Sequence, residues 1–209
     1  MNNAAESLFT QFHHNRTWAE ICNTTDGPGS TLEYTTTIRQ QLPALLKKWD
    51  IKSMLDASCG EFIWMREVDL SGINYIGGEI VADKIQKLSQ EFPQHTWLHL
   101  DIIEDNLPSV DMWMCRDTLF HFPHEYLKKT LQNFLRSDIK YLLTSSHPDV
   151  EANEDFSSFG DFRPNNFNIA PFNFGEPLDV IDDTGPGWPL KRHMYLYSRE
   201  QMSGFSWLI

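Results

Sequence analysis

Five short apolar runs in this chain each end in, or are followed at once by, residues that can bind a polar ligand or move a proton. The first gives Met54-Leu55-Asp56-Ala57-Ser58-Cys59-Gly60-Glu61-Phe62. Here an acidic residue precedes a tight turn of small residues, which lets a ligand approach the backbone closely, and the pattern predicts a helix after the turn. The second, Tyr75-Ile76-Gly77-Gly78-Glu79-Ile80, places Glu79 nineteen residues after Gly60. An acidic group at that strand end accepts both hydroxyls of a ribose, although a solvated loop carboxylate is the plainer reading. The third ends in Asp101, a possible acceptor for an adenine amino group, with Ile102 and Ile103 as apolar contacts. The fourth delivers Cys115-Arg116-Asp117, with His121 close behind, and His147 follows the fifth. Polar groups at successive strand ends mark the place where open α/β sheets bind ligands.

The histidines titrate near neutrality, so His121 is the first candidate for a base and His147 the second, with Asp117 third. Each also reads as an ordinary hydrogen-bonded structural residue. Arg163, in Asp161-Phe162-Arg163-Pro164, suits an acidic or hydroxylated ligand, or else an ion pair that orders its own segment. His121-x-x-His124 with His147 and Asp149 raises a metal site, but Pro123 separates the two histidines and no ligand pair has diagnostic spacing, so none is expected.

These residues need an alternating frame to bring them together. Strands are expected at 52–58, 75–80, 95–101, 111–117 and 140–146, with a closing antiparallel pair at 178–182 and 194–198. Ile85, Leu88 and Phe92 mark one intervening helix face, and Leu127, Leu131, Phe134 and Leu135 another. Such alternation predicts a doubly wound, mostly parallel sheet. Upstream, Asp26-Gly27-Pro28-Gly29 is a turn, and Ser30 with Glu33 forms a capping-box pattern that predicts a helix start. Leu32, Ile38, Leu42, Leu45, Leu46 and Trp49 supply its stripe, and Pro43 should kink or divide it. The amides at Ser30–Leu32 would then suit a carboxylate, helped by Arg39, which otherwise is a surface arginine. Residues 148–177 lack a period but carry Phe156, Phe159, Phe162, Phe167, Phe172 and Phe174, too aromatic for disorder; they read as a packed cover over the sheet's active edge.

The formal net charge of −12 disfavours a polyphosphate partner, so no nucleic acid is expected. No apolar run approaches the roughly 18 residues of a membrane span, and the first residues lack a signal-peptide pattern. Cys22, Cys59 and Cys115 are widely spaced, which fits buried thiols in a reducing compartment. A cytoplasmic protein without a membrane partner is the expectation.

Asp56-x-x-Cys59-Gly60, Glu79, Asp101 and Arg116-Asp117 together resemble the ordered motifs of class I S-adenosylmethionine-dependent methyltransferases. The likeness is closer to a prokaryotic subfamily of poorly defined substrate, through Asp26-Gly27-Pro28-Gly29-Ser30, DASCGEFIWM, YIGGEIV, CRDTLFHF, KYLLTSS and GDFRPNNFNIAPFNF, over residues 26–174. Ser58 and Phe62 stand where the family has glycine, and Glu79 where it has aspartate. The resemblance implies a seven-stranded Rossmann-like methyltransferase domain over 1–209. Its parts would be an N-terminal helical cap (1–50), a cofactor-binding core (51–147), an active-site cover (148–177) and closing strands (178–209). It implies S-adenosyl-L-methionine as cofactor. Gly60 and the backbone of Ala57, Ser58 and Cys59 would line its methionine, Glu79 would hold the ribose, and Asp101 with Ile102 beside Ile80 would hold the adenine. The carbonyl near Arg116 would face the amino group. The implied reaction is methyl transfer to oxygen or nitrogen of a small polar, sugar-like acceptor. The competing readings are an NAD- or nucleotide-sugar-binding oxidoreductase, which wants a fuller glycine fingerprint than Gly60 alone, and a non-catalytic cofactor-binding regulator.

Overall fold

The structure, a computed structural model, describes residues 4–19, 22 and 24–209. Its strands are β1 (Ser53–Ala57), β2 (Asn74–Glu79), β3 (Thr96–His99), β4 (Met112–Cys115), β5 (Tyr141–Ser146), β6 (Asp179–Asp182) and β7 (His193–Ser198). They form one sheet in the order β3-β2-β1-β4-β5-β7-β6. The first five strands pair in parallel, while β7 pairs antiparallel with both β5 and β6. The strand order reverses at β1, which lies between β2 and β4, so a crevice opens beside its C-terminal end.

Side chains along each central strand alternate between two apolar layers. Met54, Met112, Met114, Leu143, Met194 and Leu196 enter one layer. Their neighbours Leu55, Trp113, Cys115, Leu142, Tyr195 and Tyr197 enter the other. A strand buried on both faces must be apolar at every step, which is why these runs read as nearly unbroken hydrophobic sequence. Helices α2 (Thr36–Lys48) and α3 (Ala82–Glu91) supply Ile38, Leu42, Leu45, Leu46 and Leu88 to the first layer. On the opposite face α4 (His124–Arg136) and α5 (Arg199–Ser203) contribute Leu127, Leu131, Phe134 and Met202. An N-terminal helix, α1 (Ala4–His14), completes the set.

The structure departs from the sequence expectations at several points. Helix α2 starts at Thr36, not Ser30, and its N-cap residue Thr35 makes no side-chain cap. Pro28–Ser30 forms a single 3-10 turn, the Ser30 hydroxyl donates to the Asp26 carbonyl, and Leu32 stays exposed. Pro43 does not divide α2, which continues through it. Nor is α2 part of a cap, since its apolar stripe packs on a face of the sheet. The turn after β1 leads to no α-helix, only the 3-10 turn Met65–Glu67. Phe62 explains the difference, because it adopts φ 59°, a left-handed conformation that interrupts a helix. Its buried ring packs against Tyr75, Phe92, His95 and Trp97 at centroid distances of 5.0–5.5 Å, tilted to the first and edge-on to the other three.

Within the cover, Phe167, Phe172 and Phe174 are core residues, packed with Phe205 and Trp207 beneath the sheet edge. Phe156 lies under the Arg163 guanidinium, and Phe159 packs against Tyr126 and Phe122. Of the cover's six phenylalanines only Phe162 lines the cavity at the sheet's active edge.

Phe62→Ala removes the ring but keeps a side chain in the left-handed region. We expect a loss of about 3–5 kcal/mol of stability, the usual range for Phe-to-Ala in a core, read from the urea midpoint at unchanged m-value. A loss below about 1 kcal/mol would show that the aromatic box does not hold this turn.

Candidate active site

A cavity of about 340 Å³ runs along the C-terminal ends of β1, β2 and β4, within the size range of small-molecule sites. Of the residues singled out from sequence, Ser30, Asp56, Ser58, Cys59, Gly60, Glu79, Ile80, Asp101, Ile102, Arg116, Asp117, His121 and His147 all border it.

Glu79, the last residue of β2, points its carboxylate back at the β1 turn. Its Oε2 accepts from the Gly60 amide at 3.1 Å, and its Oε1 accepts from Ile80 at 2.9 Å and Val81 at 3.2 Å. Three amides orient the group, two on Oε1 and one on Oε2, so Oε2 retains acceptor capacity. Gly60 has φ 58°, and a Cβ there would collide with Asp26 Oδ2. Asp26 accepts from Lys84 Nζ at 2.6 Å, both side chains being nearly buried, and from the Glu61 amide. Burial works against the Lys84 charge, but Glu79, Asp26 and Glu61 outweigh it and hold its ammonium above the ordinary lysine range. Asp56 is the reverse case. Burial raises its carboxyl to about 7, against the opposing effects of a 2.8 Å hydrogen bond from the Tyr75 hydroxyl and of Arg116. Asp101 accepts from the Ile103 amide at 2.8 Å.

At the β4 end, Arg116 donates from Nε and Nη2 to both oxygens of Asp183 (2.9 and 3.1 Å), and from Nη2 to the Gly29 carbonyl at 2.8 Å. The Arg116 carbonyl accepts from the Thr118 hydroxyl at 2.9 Å, which pairs with the Ser58 hydroxyl at 2.8 Å and so joins the ends of β4 and β1. Arg192 reaches Asp183 as well, at 2.9 Å, and pairs with Asp117. Burial works against the Asp117 charge, but Arg192, Arg116, His121 and His147 keep its carboxyl below the usual range. Its ion pair with Arg192 thus disfavours Asp117 as a proton acceptor.

The two histidines differ in a way sequence does not reveal. His121 Nδ1 lies 2.9 Å from the Asp161 carbonyl. A carbonyl only accepts, so Nδ1 carries the proton and Nε2 is a free acceptor facing the cavity. His147 Nδ1 accepts from the Asn165 amide at 3.2 Å, which puts the proton on Nε2. His147 thus presents a donor, and its place as second candidate base is corrected to that of a donor. Burial and the nearby Arg192 charge lower its pKa to about 4.

Three residues expected at the site lie outside the cavity lining. Arg39 donates to the Leu32 carbonyl at 2.9 Å, because α2 begins too late to aim it inward. Ala57 turns its side chain into the core below. Arg163 is buried, donates to Asn165 and to the Phe122 carbonyl, and so orders the cover instead of meeting a ligand. Residues not anticipated include Tyr34, Trp64, Lys84, Trp188 and Arg192, with Phe9 and His13 of α1. Arg192 lies far from any motif, and only the antiparallel return of β7 beside β5 brings it to the site.

No protein-family model matches the sequence, and no curated protein is significantly similar to it. Solved structures are similar in fold. One is magnesium protoporphyrin IX methyltransferase of Synechocystis PCC 6803 with bound SAM. It is 15% identical over 93% of this chain and 99% of that one, with a TM-score of 0.58. A second is the 1,6-didemethyltoxoflavin N1-methyltransferase of Burkholderia thailandensis (13% identity, 92% and 86% coverage, TM-score 0.63), bound to 1,6-didemethyltoxoflavin and S-adenosylhomocysteine. A third is the N-methyltransferase NodS of Bradyrhizobium japonicum (11%, 79% and 96%, 0.59). The fold is that of class I S-adenosylmethionine-dependent methyltransferases. In this methyltransferase fold the cavity described above occupies the switch point of the sheet, beside β1.

Asp183→Asn leaves the buried Arg116 and Arg192 guanidiniums without their shared charge. Breaking a buried ion pair this way costs about 3–5 kcal/mol, and the urea midpoint should fall accordingly. A midpoint within experimental error of the parent would show that the two arginines find other partners.

Proposed function

We propose that this chain is an S-adenosylmethionine-dependent methyltransferase of the cytoplasm, acting on oxygen or nitrogen of a small polar, sugar-like acceptor. One observation carries the reading: a single cavity joins the amide-anchored Glu79, the Gly60 turn and the free Nε2 of His121. The donor set suits the cofactor. Glu79 Oε2 keeps acceptor capacity for a ribose hydroxyl, and Asp101 with Ile80, Ile102 and Ile103 offers a polar group among apolar walls for adenine. Ser30, with Ser58, Cys59 and Gly60, borders the part left for the amino-acid end. An extended glycine fingerprint, which an NAD-binding reading wants, is missing from the β1 turn. The cavity also continues past Gly60 to two histidines, which a bare scaffold for the cofactor does not need. No helix among the described residues is long and apolar enough to cross a membrane.

When bound, S-adenosylmethionine supplies a methyl carbon on a positively charged sulfur. The chain's own task is to align an acceptor with that carbon, exclude water and receive a proton. His121 Nε2 is placed to receive it, with Nδ1–H held by Asp161. Trp18, Phe120 and Phe162 flank the imidazole at 4.7–6.3 Å.

S-adenosylhomocysteine should therefore raise the melting temperature, by the equivalent of about 2.7 kcal/mol at a hundredfold excess over its Kd, whereas NAD should not. The reverse pattern would sink the methyltransferase reading. Glu79→Ala should weaken S-adenosylhomocysteine by about 1–3 kcal/mol in calorimetry, and unchanged affinity would remove Glu79 from the site.

Turnover should also depend on pH through His121. Burial lowers its pKa below 6.5, partly offset by the Asp161 carbonyl and by Asp117. A base works when neutral, so kcat/KM should be flat above pH 6.5 and fall as pH drops through the lowered pKa. A limb centred above 6.5 would point to another group.

A further inference from the structure

The acceptor end of the cavity carries a pair of opposed hydrogen-bonding atoms. His121 offers an acceptor at Nε2, because its Nδ1–H is committed to Asp161. His147 offers a donor at Nε2, because its Nδ1 is committed to the Asn165 amide, while its own backbone amide donates to the Asn165 carbonyl at 2.7 Å. Neither Nε2 has a protein partner among the described residues, and neither is among the sealed, unsatisfied polar atoms. The same two rings border both imidazoles. Phe120 lies 4.7 Å from His121 and 5.2 Å from His147, and Phe162 lies 6.3 and 6.0 Å from them.

The charged groups nearby do not call for a charged acceptor. Arg116 and Arg192 are matched by Asp183 and Asp117 within one network. An ammonium would meet the His147 N–H and a neutralised carboxylate. The rim adds exposed faces suited to a ring, with Phe162 55% and Trp188 44% accessible.

We propose that this end of the cavity selects a ring-borne hydroxyl, which donates its proton to His121 Nε2 while its oxygen accepts from the Nε2–H of His147. The inference deepens the methyl-transfer reading and rests on it. A hydroxyl oxygen has two lone pairs, so one can face the methyl carbon while the other accepts from His147. A neutral amine has a single lone pair, which the methyl carbon requires, and the His147 donor is then left unpaired. That mismatch costs roughly tenfold or more in affinity. His147 is thus a positioning residue that discriminates oxygen from nitrogen.

The test uses the full chain labelled with ¹⁵N-histidine, at pH 8, where both imidazoles are neutral. Two-bond ¹⁵N–¹H correlations should show His121 protonated on Nδ1 and His147 on Nε2. With S-adenosylmethionine saturating, so that the methyl carbon is present, phenol, methyl β-D-glucopyranoside and aniline are titrated separately. A shift of both Nε2 resonances by phenol assigns an aryl hydroxyl, and a shift by the glucoside alone assigns a sugar hydroxyl; either supports the proposal. Aniline should act at least roughly tenfold more weakly than the better hydroxyl probe. His147→Phe should abolish the response at His121, while His147→Gln, which keeps a donor, should retain it. Identical tautomers for the two histidines would overturn the proposal, as would aniline matching the hydroxyl probes or neither hydroxyl probe moving either resonance. The tautomers are read on the parent protein, so they decide the pairing even if a variant does not fold. Failure of S-adenosylmethionine to bind would instead count against the methyltransferase reading.

Discussion

A single buried carboxylate ties together the edge of the sheet on which the cavity is built. Asp183, with no side-chain exposure, receives three hydrogen bonds from Arg116 and Arg192, and those arginines continue to the Gly29 carbonyl and Asp117. The end of β4, the loop after β6, the approach to β7 and the turn before α2 therefore meet at one point. Two cations and two anions sum to zero, which allows so much charge to stay out of water. Tyr34 and Trp64 add their ring faces, with the Arg192 and Arg116 guanidiniums 4.5 and 4.9 Å from the respective centroids.

The N-terminal segment depends on a second buried pair. Asp26 and Lys84 join the turn before α2 to the first turn of α3, and the Glu61 amide completes the acceptor demand of Asp26. Helix α1 then lies along the cavity through Ala5, Phe9 and His13. Exposed contacts from His14 to Asp83 and from Glu6 to His99 fix its position, each worth little alone in water. The wall formed by α1 is thus held mainly by packing, whereas the floor of the cavity is held by buried charge.

The sheet was legible because strands buried on both faces write themselves as continuous apolar runs, each punctuated by a polar residue at its end. Glu79, Asp101, Arg116 and His121 were readable for that reason. What escaped the sequence was local geometry that only tertiary packing decides. Ser30 and Glu33 match a capping box, yet the chain prefers a 3-10 turn that delivers the Gly29 carbonyl to Arg116. Phe62 breaks the expected helix because its ring gains more from the aromatic box than the backbone loses at positive φ. Arg163 reads as a ligand contact in sequence, but it satisfies the Phe122 carbonyl. Asp183 and Arg192 carry no motif, so their importance appears only once β6 and β7 fold back. The tautomers of His121 and His147 were likewise invisible, since each depends on a backbone group contributed by the cover.

Both margins of the sheet are short. The outermost strands, β3 and β6, have four residues each, and β6 is Asp179-Val180-Ile181-Asp182, with an acid at either end. Val180 is exposed between them, while Asp179 is engaged by Lys48 and the Trp49 indole. An unpaired strand edge is a template for other chains, and length and charge decide how good a template it is. Two brief edges, one of them bracketed by carboxylates, offer a stray strand few backbone partners, so this architecture disfavours edge-to-edge pairing while leaving its polar strand ends free for ligands.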